Sequence, residues 1–358
     1  MEALDYLKKL NDNGYEAYIV GGYVRDKILG INSTDIDITT NAKPKDISEI
    51  FNVSKKDNLG VINIKTETLN VDITTFRKES HYIGHKPKNL AYVNDLITDL
   101  KRRDFTINAI CMDKDGNIVD LLNGQKDLEN RILRCVGKVK KKFTEDPLRM
   151  LRALRLAIVY NLKINNEELI FILNNKKLFS RISYDRKKSE IGKILISNNA
   201  IEGLNFLKIL GLLDVLEINF SNNIVNVDDY VGMWSQLEYS ENYRFSKLET
   251  IRIDKIRSIV KEGVINSHTI YNYGFYDTYV ASQILKMDNS YVSKLNADMT
   301  LHTENELNVN GEDIKAALKL DDSPIIKEIK ECIIQEILNG KLVNEKKQIL
   351  EYIKKKWK

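Results

Sequence analysis

The sequence predicts an α+β protein, with a mixed α/β part at its N-terminus and helices over the remainder. Three observations predict it. Short apolar runs bounded by glycine, asparagine and aspartate recur up to about residue 140. Beyond that point the apolar spacing becomes helical almost throughout. Finally, 358 residues with only 4 prolines and a 43% hydrophobic share suit roughly two to four compact units without a long disordered linker.

Each element follows in order. "MEALDYLKKLNDNG" spaces Leu4, Leu7 and Leu10 as a helix and stops at Gly14. "EAYIVGG" reads as a strand entering a glycine turn, "YVRDKILG" as a short helix ending at Gly30, and "DIDITT" as a strand. "KPKDISEIF" is a helix, and "GVINIKT" and "LNVDITTFR" are strands. "TINAICMD", "NIVDLL" and "ILRCV" complete the mixed part. "DPLRMLRALRLAIVYNL" opens the helical part with a proline in its first turn, where a missing N–H is harmless. "NNEELIFILNN", "DRKKSEIGKILIS" and "AIEGLNFLKILGLLDVL" follow as amphipathic segments. Between 221 and 300 tyrosines accumulate (Tyr230, Tyr239, Tyr243, Tyr271, Tyr273, Tyr276, Tyr279). Packing between helices is the preferred reading over a base-stacking surface.

A net charge of +4 does not by itself establish a nucleic-acid partner. From Lys341 onward seven lysines stand against two glutamates, a basic terminus that a solvated helix end also explains. Cys111, Cys135 and Cys332 lack CxxC or CxxH spacing, which argues against a zinc site and a disulfide framework. No signal peptide and no membrane-spanning run is legible, so a reduced, cytoplasmic protein is expected.

The chemistry concentrates in "VGGYVRDKILGINSTDIDITT". Alternate side chains of a strand share a face, so Asp35 and Asp37 project together. Carboxylates this close raise each other's pKa unless a cation neutralises them, and hard oxygen ligands suit Mg²⁺. Asp72, on another expected strand, could stand beside them and complete a two-metal phosphoryl-transfer site. Gly21 and Gly22 would let phosphate oxygens approach the backbone, and Arg25 would supply a fixed cation.

"GGYVRDKILG…DIDITT" resembles the signature of the class II nucleotidyltransferases, the family of bacterial tRNA CCA-adding enzymes and poly(A) polymerases. "LKRRDFTINAICMD", "DLLNGQKDLENRILRCVG", "EDPLRMLRALRLA" and, more loosely, "DRKKSEIGKIL" resemble the family's further motifs, in its order. The resemblance implies a nucleotidyltransferase head at 1–137, a helical neck at 138–200, a body at 201–265 and a tRNA-binding tail at 266–358.

It also implies roles. Arg103 would face phosphate, and Asp104, within "RRDFTINA" beside Asn108, would accept from ribose hydroxyls. Asp146, Arg149, Arg152 and Arg155 recur every three residues as a stripe on one helix from Glu145, with Leu148, Leu151, Leu154 and Leu156 buried elsewhere. By resemblance, Asp146 accepts from the exocyclic amino group shared by cytosine and adenine, and Arg149 donates to the acceptors beside it. Arg152 and Arg155 would help hold the triphosphate, and Glu145 would orient Arg149. The segment "RKESHYIGHKPKNLAYVNDLITDLK" resembles the loop used in switching from C to A. It carries "IGHKP" where family members commonly have an acid and paired arginines before the proline, and "NLGVINIKTETLN" is also clipped; both bear on the final A addition.

The implied activity is template-independent addition of C, C and A to the tRNA 3′ end from CTP and ATP, with Mg²⁺. A CC-adding, A-adding or poly(A)-adding member is the near alternative. A non-catalytic RNA-binding homologue and a small-molecule nucleotidyltransferase are outsiders, and the oligomeric state is open between monomer and homodimer.

Overall fold

Tyr6, Leu7 and Leu10 are buried on the first helix, α1 (Ala3–Asp12), which lies over the start of a sheet. The computed structural model describes residues 2–53, 60–83, 86–320 and 324–357. It divides into two units, Met1–Glu217 and Ile218–Lys358.

In the first unit, β1 (Ala17–Val20) leads through Gly21 into α2 (Gly22–Ile28) and on to β2 (Asp35–Thr40). Proline sits in the first turn of α3 (Pro44–Phe51), and β3 (Ile62–Lys65) and β4 (Asn70–Thr75) follow. β5 (Arg77–Ile83) and β6 (Lys86–Tyr92) form a separate antiparallel hairpin. The segment expected as a flexible loop is thus a hairpin followed by a helix, α4 (Leu96–Arg102). The dense charge of "RKES" masked the strand signal. Residues 84–85 of "IGHKP" and 58–59 of "NLGVINIKTETLN" lie outside the described residues.

A 3-10 turn, Thr106–Asn108, precedes β7 (Cys111–Met112) and β8 (Ile118–Val119). The six-stranded sheet has the order β3-β4-β2-β1-β7-β8. β2 and β4 run parallel, and β1 pairs antiparallel with β2 and β7. Ile36 and Ile38 of β2, and Val71 and Ile73 of β4, are buried on one face. The alternate residues therefore emerge on the other.

α5 (Gly124–Glu129) and β9 (Ile132–Leu133) lead to α6 (Val139–Glu145) and α7 (Leu148–Val159). β10 (Lys163–Ile164) pairs parallel with β9. α8 (Asn166–Asn174), α9 (Tyr184–Leu195), α10 (Ala200–Ile209) and α11 (Leu213–Leu216) complete the unit. α10 packs on α7 and α9 through Gly203, where an added Cβ would stand 2.5 Å from Ile158 Cγ2. Residues 201–217 belong to the first unit.

The second unit is helical apart from a hairpin of β11 (Ile218–Phe220) and β12 (Leu237–Tyr239), with α12 (Tyr230–Ser235) between them. Strands of two or three residues, here and at β10, are too short to register as a period. They qualify the expectation that β structure ends near residue 140. α13 (Lys247–Glu262), α14 (Ser267–Tyr273), α15 (Phe275–Ile284) and α16 (Asn289–Asp298) follow. α17 (Gly311–Leu318), α18 (Ile325–Leu338) and α19 (Lys346–Trp357) close the chain around Ile314, Ile333, Ile349 and Ile353. Tyr230, Tyr239 and Tyr243 pack on buried Trp234, which makes this part of the tyrosine-rich stretch core. Among the described residues, no helix is long and apolar enough to cross a membrane.

Candidate active site

Asp37 and Asp72 are direct partners across the parallel β2–β4 pair, and Asp35 faces Asn70 two residues earlier. All three emerge on the face opposite the buried isoleucines and valine, as the alternation predicts. Asn63 on β3 donates to Asp72 Oδ1 at 2.7 Å, and Asn70 reaches Asp35 Oδ1 at 3.4 Å. Desolvation by the surrounding protein pushes the Asp37 carboxyl above its ordinary pKa. Arg103 opposes that shift, while Asp72 and Asp35 reinforce it. Among the described residues no three potential metal ligands are already gathered into a metal-binding group. The donor set still suits a divalent cation: three acidic side chains share one sheet face, and their crowding is what a cation relieves.

Gly21 borders this face. Its φ is +86°, and an added Cβ would lie 3.3 Å from Asp37 Oδ2 and 3.6 Å from Arg103 Nη1. Glycine is required there by conformation and by space. The Gly21 N–H donates to the Ile110 carbonyl at 3.3 Å, so it is not a free phosphate donor. Gly22 opens α2.

Arg25 is buried and uses four of its five N–H donors. It donates to Asp26 Oδ1 from Nε and Nη2, to Asn108 Oδ1 at 2.7 Å, and to the Tyr160 hydroxyl. The Tyr160 ring lies 4.1 Å from the guanidinium carbon. Asn108 in turn donates to Asp104 Oδ1 at 3.1 Å, and Asp104 Oδ2 accepts from Arg152 Nη2 at 2.7 Å. Burial opposes ionisation of Asp104, but Arg152 and the hydrogen bonds from Asn108 and the Phe105 N–H outweigh it and hold the carboxyl well below the usual range. Arg152 is stabilised as a cation by the same contact.

The four-residue stripe is not borne on one helix. α6 ends at Glu145, Asp146 adopts an extended conformation, and Pro147 caps α7. A proline at 147 cannot donate to the preceding turn, so the helical register breaks between Asp146 and Arg149. The two still meet: Arg149 Nε lies 3.9 Å from Asp146 Oδ2. Arg155 pairs with Glu190 of α9 at 2.5 Å, and Glu145 lies 3.9 Å from Lys141. Leu148, Leu151, Leu154 and Leu156 are buried as expected.

Gly21, Arg25, Asp37, Arg103, Asp104 and Asn108 line one wall of a cavity of about 450 Å³, and Asp146, Arg149, Arg152 and Arg155 line another. Asp35 and Asp72 are not on that lining and stand along the sheet beyond Asp37. Sequence reasoning missed Glu79, Arg102 and Arg186, which also line the cavity, and Tyr160, Glu190 and Asp99, which hold its arginines. Only Arg102, doubled with Arg103, carried a local signal.

A paired-carboxylate sheet face beside an arginine-lined cavity defines a nucleotidyltransferase. The Poly A polymerase head domain family matches residues 17–134, and the putative tRNA nucleotidyltransferase domain 2 family matches 235–353. The CCA-adding enzyme of Streptococcus suis (strain 05ZYH33) is 30% identical over 99% of this chain and 96% of its own length. That of Staphylococcus aureus (strain Mu3 / ATCC 700698) is 32% identical over 98% and 97%. The crystal structure of the Bacillus stearothermophilus CCA-adding enzyme in complex with CTP superposes with a TM-score of 0.84 at 26% identity, covering 99% of this chain and 96% of that one. The chain belongs to the CCA-adding enzymes, which are tRNA nucleotidyltransferases.

Proposed function

We propose that CCA addition by this chain uses CTP and ATP in the arginine-lined cavity, with magnesium held by Asp37, Asp72 and Asp35. The observation that carries this reading is the register of Asp37 against Asp72 beside Gly21 and Arg103. A bound cation of this kind would assist ionisation of the RNA 3′-hydroxyl and stabilise departing pyrophosphate. The hydroxyl gives up its proton to solvent, its oxygen bonds to the α-phosphorus, the α–β phosphoanhydride breaks, and pyrophosphate leaves with the electron pair.

The side chains position these parts. Arg103, beside Asp37, faces the phosphates. Arg25, pinned by Asp26, Asn108 and Tyr160, holds Asn108 and through it Asp104. Asp104 already accepts from the Phe105 N–H, Asn108 and, twice, Arg152, so a ribose hydroxyl would take the place of one of these donors. Asp146 and Arg149 present an acceptor and a donor to the base edge shared by cytosine and adenine. Uracil and guanine would leave that acceptor unpaired, a penalty of about 1–3 kcal/mol. Arg152 and Arg155 are tied to Asp104 and Glu190, and their remaining N–H groups are the ones offered to phosphate. The helical second unit, with the basic face of α19, would hold tRNA through its backbone. Such an activity belongs to the cytoplasm, where the cysteines stay reduced.

The test is a tRNA transcript ending at the discriminator base, incubated with Mg²⁺ and CTP, ATP or both. Two additions with CTP and a third only with ATP support the reading. A stop after CC, an untemplated run of A, or no addition would each overturn it.

A further inference from the structure

Lys142, on α6, is one of two buried lysines among the described residues, the other being Lys187. Its Nζ donates to the main-chain carbonyls of Lys101 and Arg103, each at 2.8 Å. These carbonyls close α4, where a helix end leaves acceptors without internal donors and favours a cation. No carboxylate lies within ion-pair distance of this ammonium among the described residues. Burial, helped by neighbouring Arg149 and opposed by Asp104, Cys135 and Glu145, lowers its pKa to about 8. A packing role alone would be served at less expense by an apolar side chain.

The main chain of the same residue faces the other way. The Lys142 carbonyl accepts from the Asp146 N–H at 3.2 Å and from Arg149 Nη1 at 3.4 Å. One residue therefore touches both walls of the cavity. Its ammonium holds the backbone that carries Arg103 and Asp104, and its carbonyl holds the Asp146–Arg149 pair.

We propose that Lys142 is a positioning residue for nucleotide selection, fixing the separation between the base-facing pair and the segment that faces ribose and phosphate. It does this without touching the nucleotide. The inference rests on the reading of Asp146 and Arg149 as the base-recognising pair.

The full-length protein is assayed on the discriminator-ended transcript with CTP or UTP, as Lys142→Met, Lys142→Arg and Asp146→Ala. Lys142→Met is expected to raise the KM for CTP about 10-fold or more, with a smaller fall in kcat, and to narrow the CTP over UTP preference about 10-fold, as a displaced wall does. Lys142→Arg, which can donate to both carbonyls, is expected to recover the preference. Equal losses for CTP and UTP in Lys142→Met would mark a merely structural lysine and overturn the inference, as would an arginine that rescues nothing. If Lys142→Met does not fold, Lys142→Gln, with a neutral donor, is measured against the same criteria. Should Asp146→Ala narrow the preference while the Lys142 variants keep it, the positioning role alone fails. Should Asp146→Ala leave it unchanged, the base-recognition reading fails and the inference falls with it.

Discussion

Asp37 stands where three carboxylates share one face, and desolvation, opposed by Arg103 and reinforced by Asp72 and Asp35, sets its titration. Its folded-state pKa lies above the ordinary one, so the folded chain holds this proton more tightly than the unfolded chain. The stability lent by that proton is complete below the ordinary carboxylate pKa and is lost as the pH rises through the raised value. Asp37→Asn should therefore abolish incorporation and yet raise the metal-free Tm slightly at about pH 7.5, a gain that shrinks toward about pH 4. A lower Tm at neutral pH would contradict the raised pKa. Protons and the cation compete for the same oxygens, so the magnesium needed for half-maximal rate should increase as the pH falls. Asp104 behaves oppositely. Its depressed pKa gives stability present above the ordinary carboxylate value and lost as the pH falls through the folded one. Asp104→Asn leaves Arg152 without its partner. Because Arg152 is about one-third exposed, a loss of about 2 kcal/mol in urea unfolding is expected rather than the ~3–5 kcal/mol of a fully buried pair.

At the scale of elements, local pattern carried most of the fold. Period-two alternation in "DIDITT" and "NVDITT" was enough to put Asp35, Asp37 and Asp72 on one face, because register follows burial of Ile36, Ile38, Val71 and Ile73. The β5–β6 hairpin was not legible, since its first strand opens with three charged residues and its partner strand supplies the pairing. The ends of α6 and α7 were misread because a three-residue spacing runs through Pro147, and only the backbone shows the break. Arg25 with Tyr160, and Arg155 with Glu190, join positions 135 and 35 residues apart, which no window along the chain can pair. α7 owes its placement to α10 as well. Gly203→Ala would press its Cβ against Ile158 and Ile194, and such overpacking costs about 1–3 kcal/mol. A lower melting temperature, with CTP affinity falling in step as α7 moves, is the expected outcome; an unchanged Tm would show that the contact relaxes freely.

For the whole molecule, every residue that lines the candidate cavity belongs to the unit ending at Glu217. The basic residues of α19 belong to the other, where Lys354 and Lys355 are exposed. If that face grips tRNA by its backbone, Lys354→Glu with Lys355→Glu should weaken tRNA binding and lower the slope of log K against log salt by roughly 1–2. The KM for CTP should stay as it was. A shift in the KM for CTP with no change in salt slope would place those lysines outside the RNA surface.

Four of the cavity's guanidinium groups are tethered before any nucleotide arrives: Arg25 to Asp26, Arg103 to Asp99, Arg152 to Asp104 and Arg155 to Glu190. Little side-chain freedom is left to freeze on binding. A mould already set in this way offers the same fixed charges to the first nucleotide as to the last.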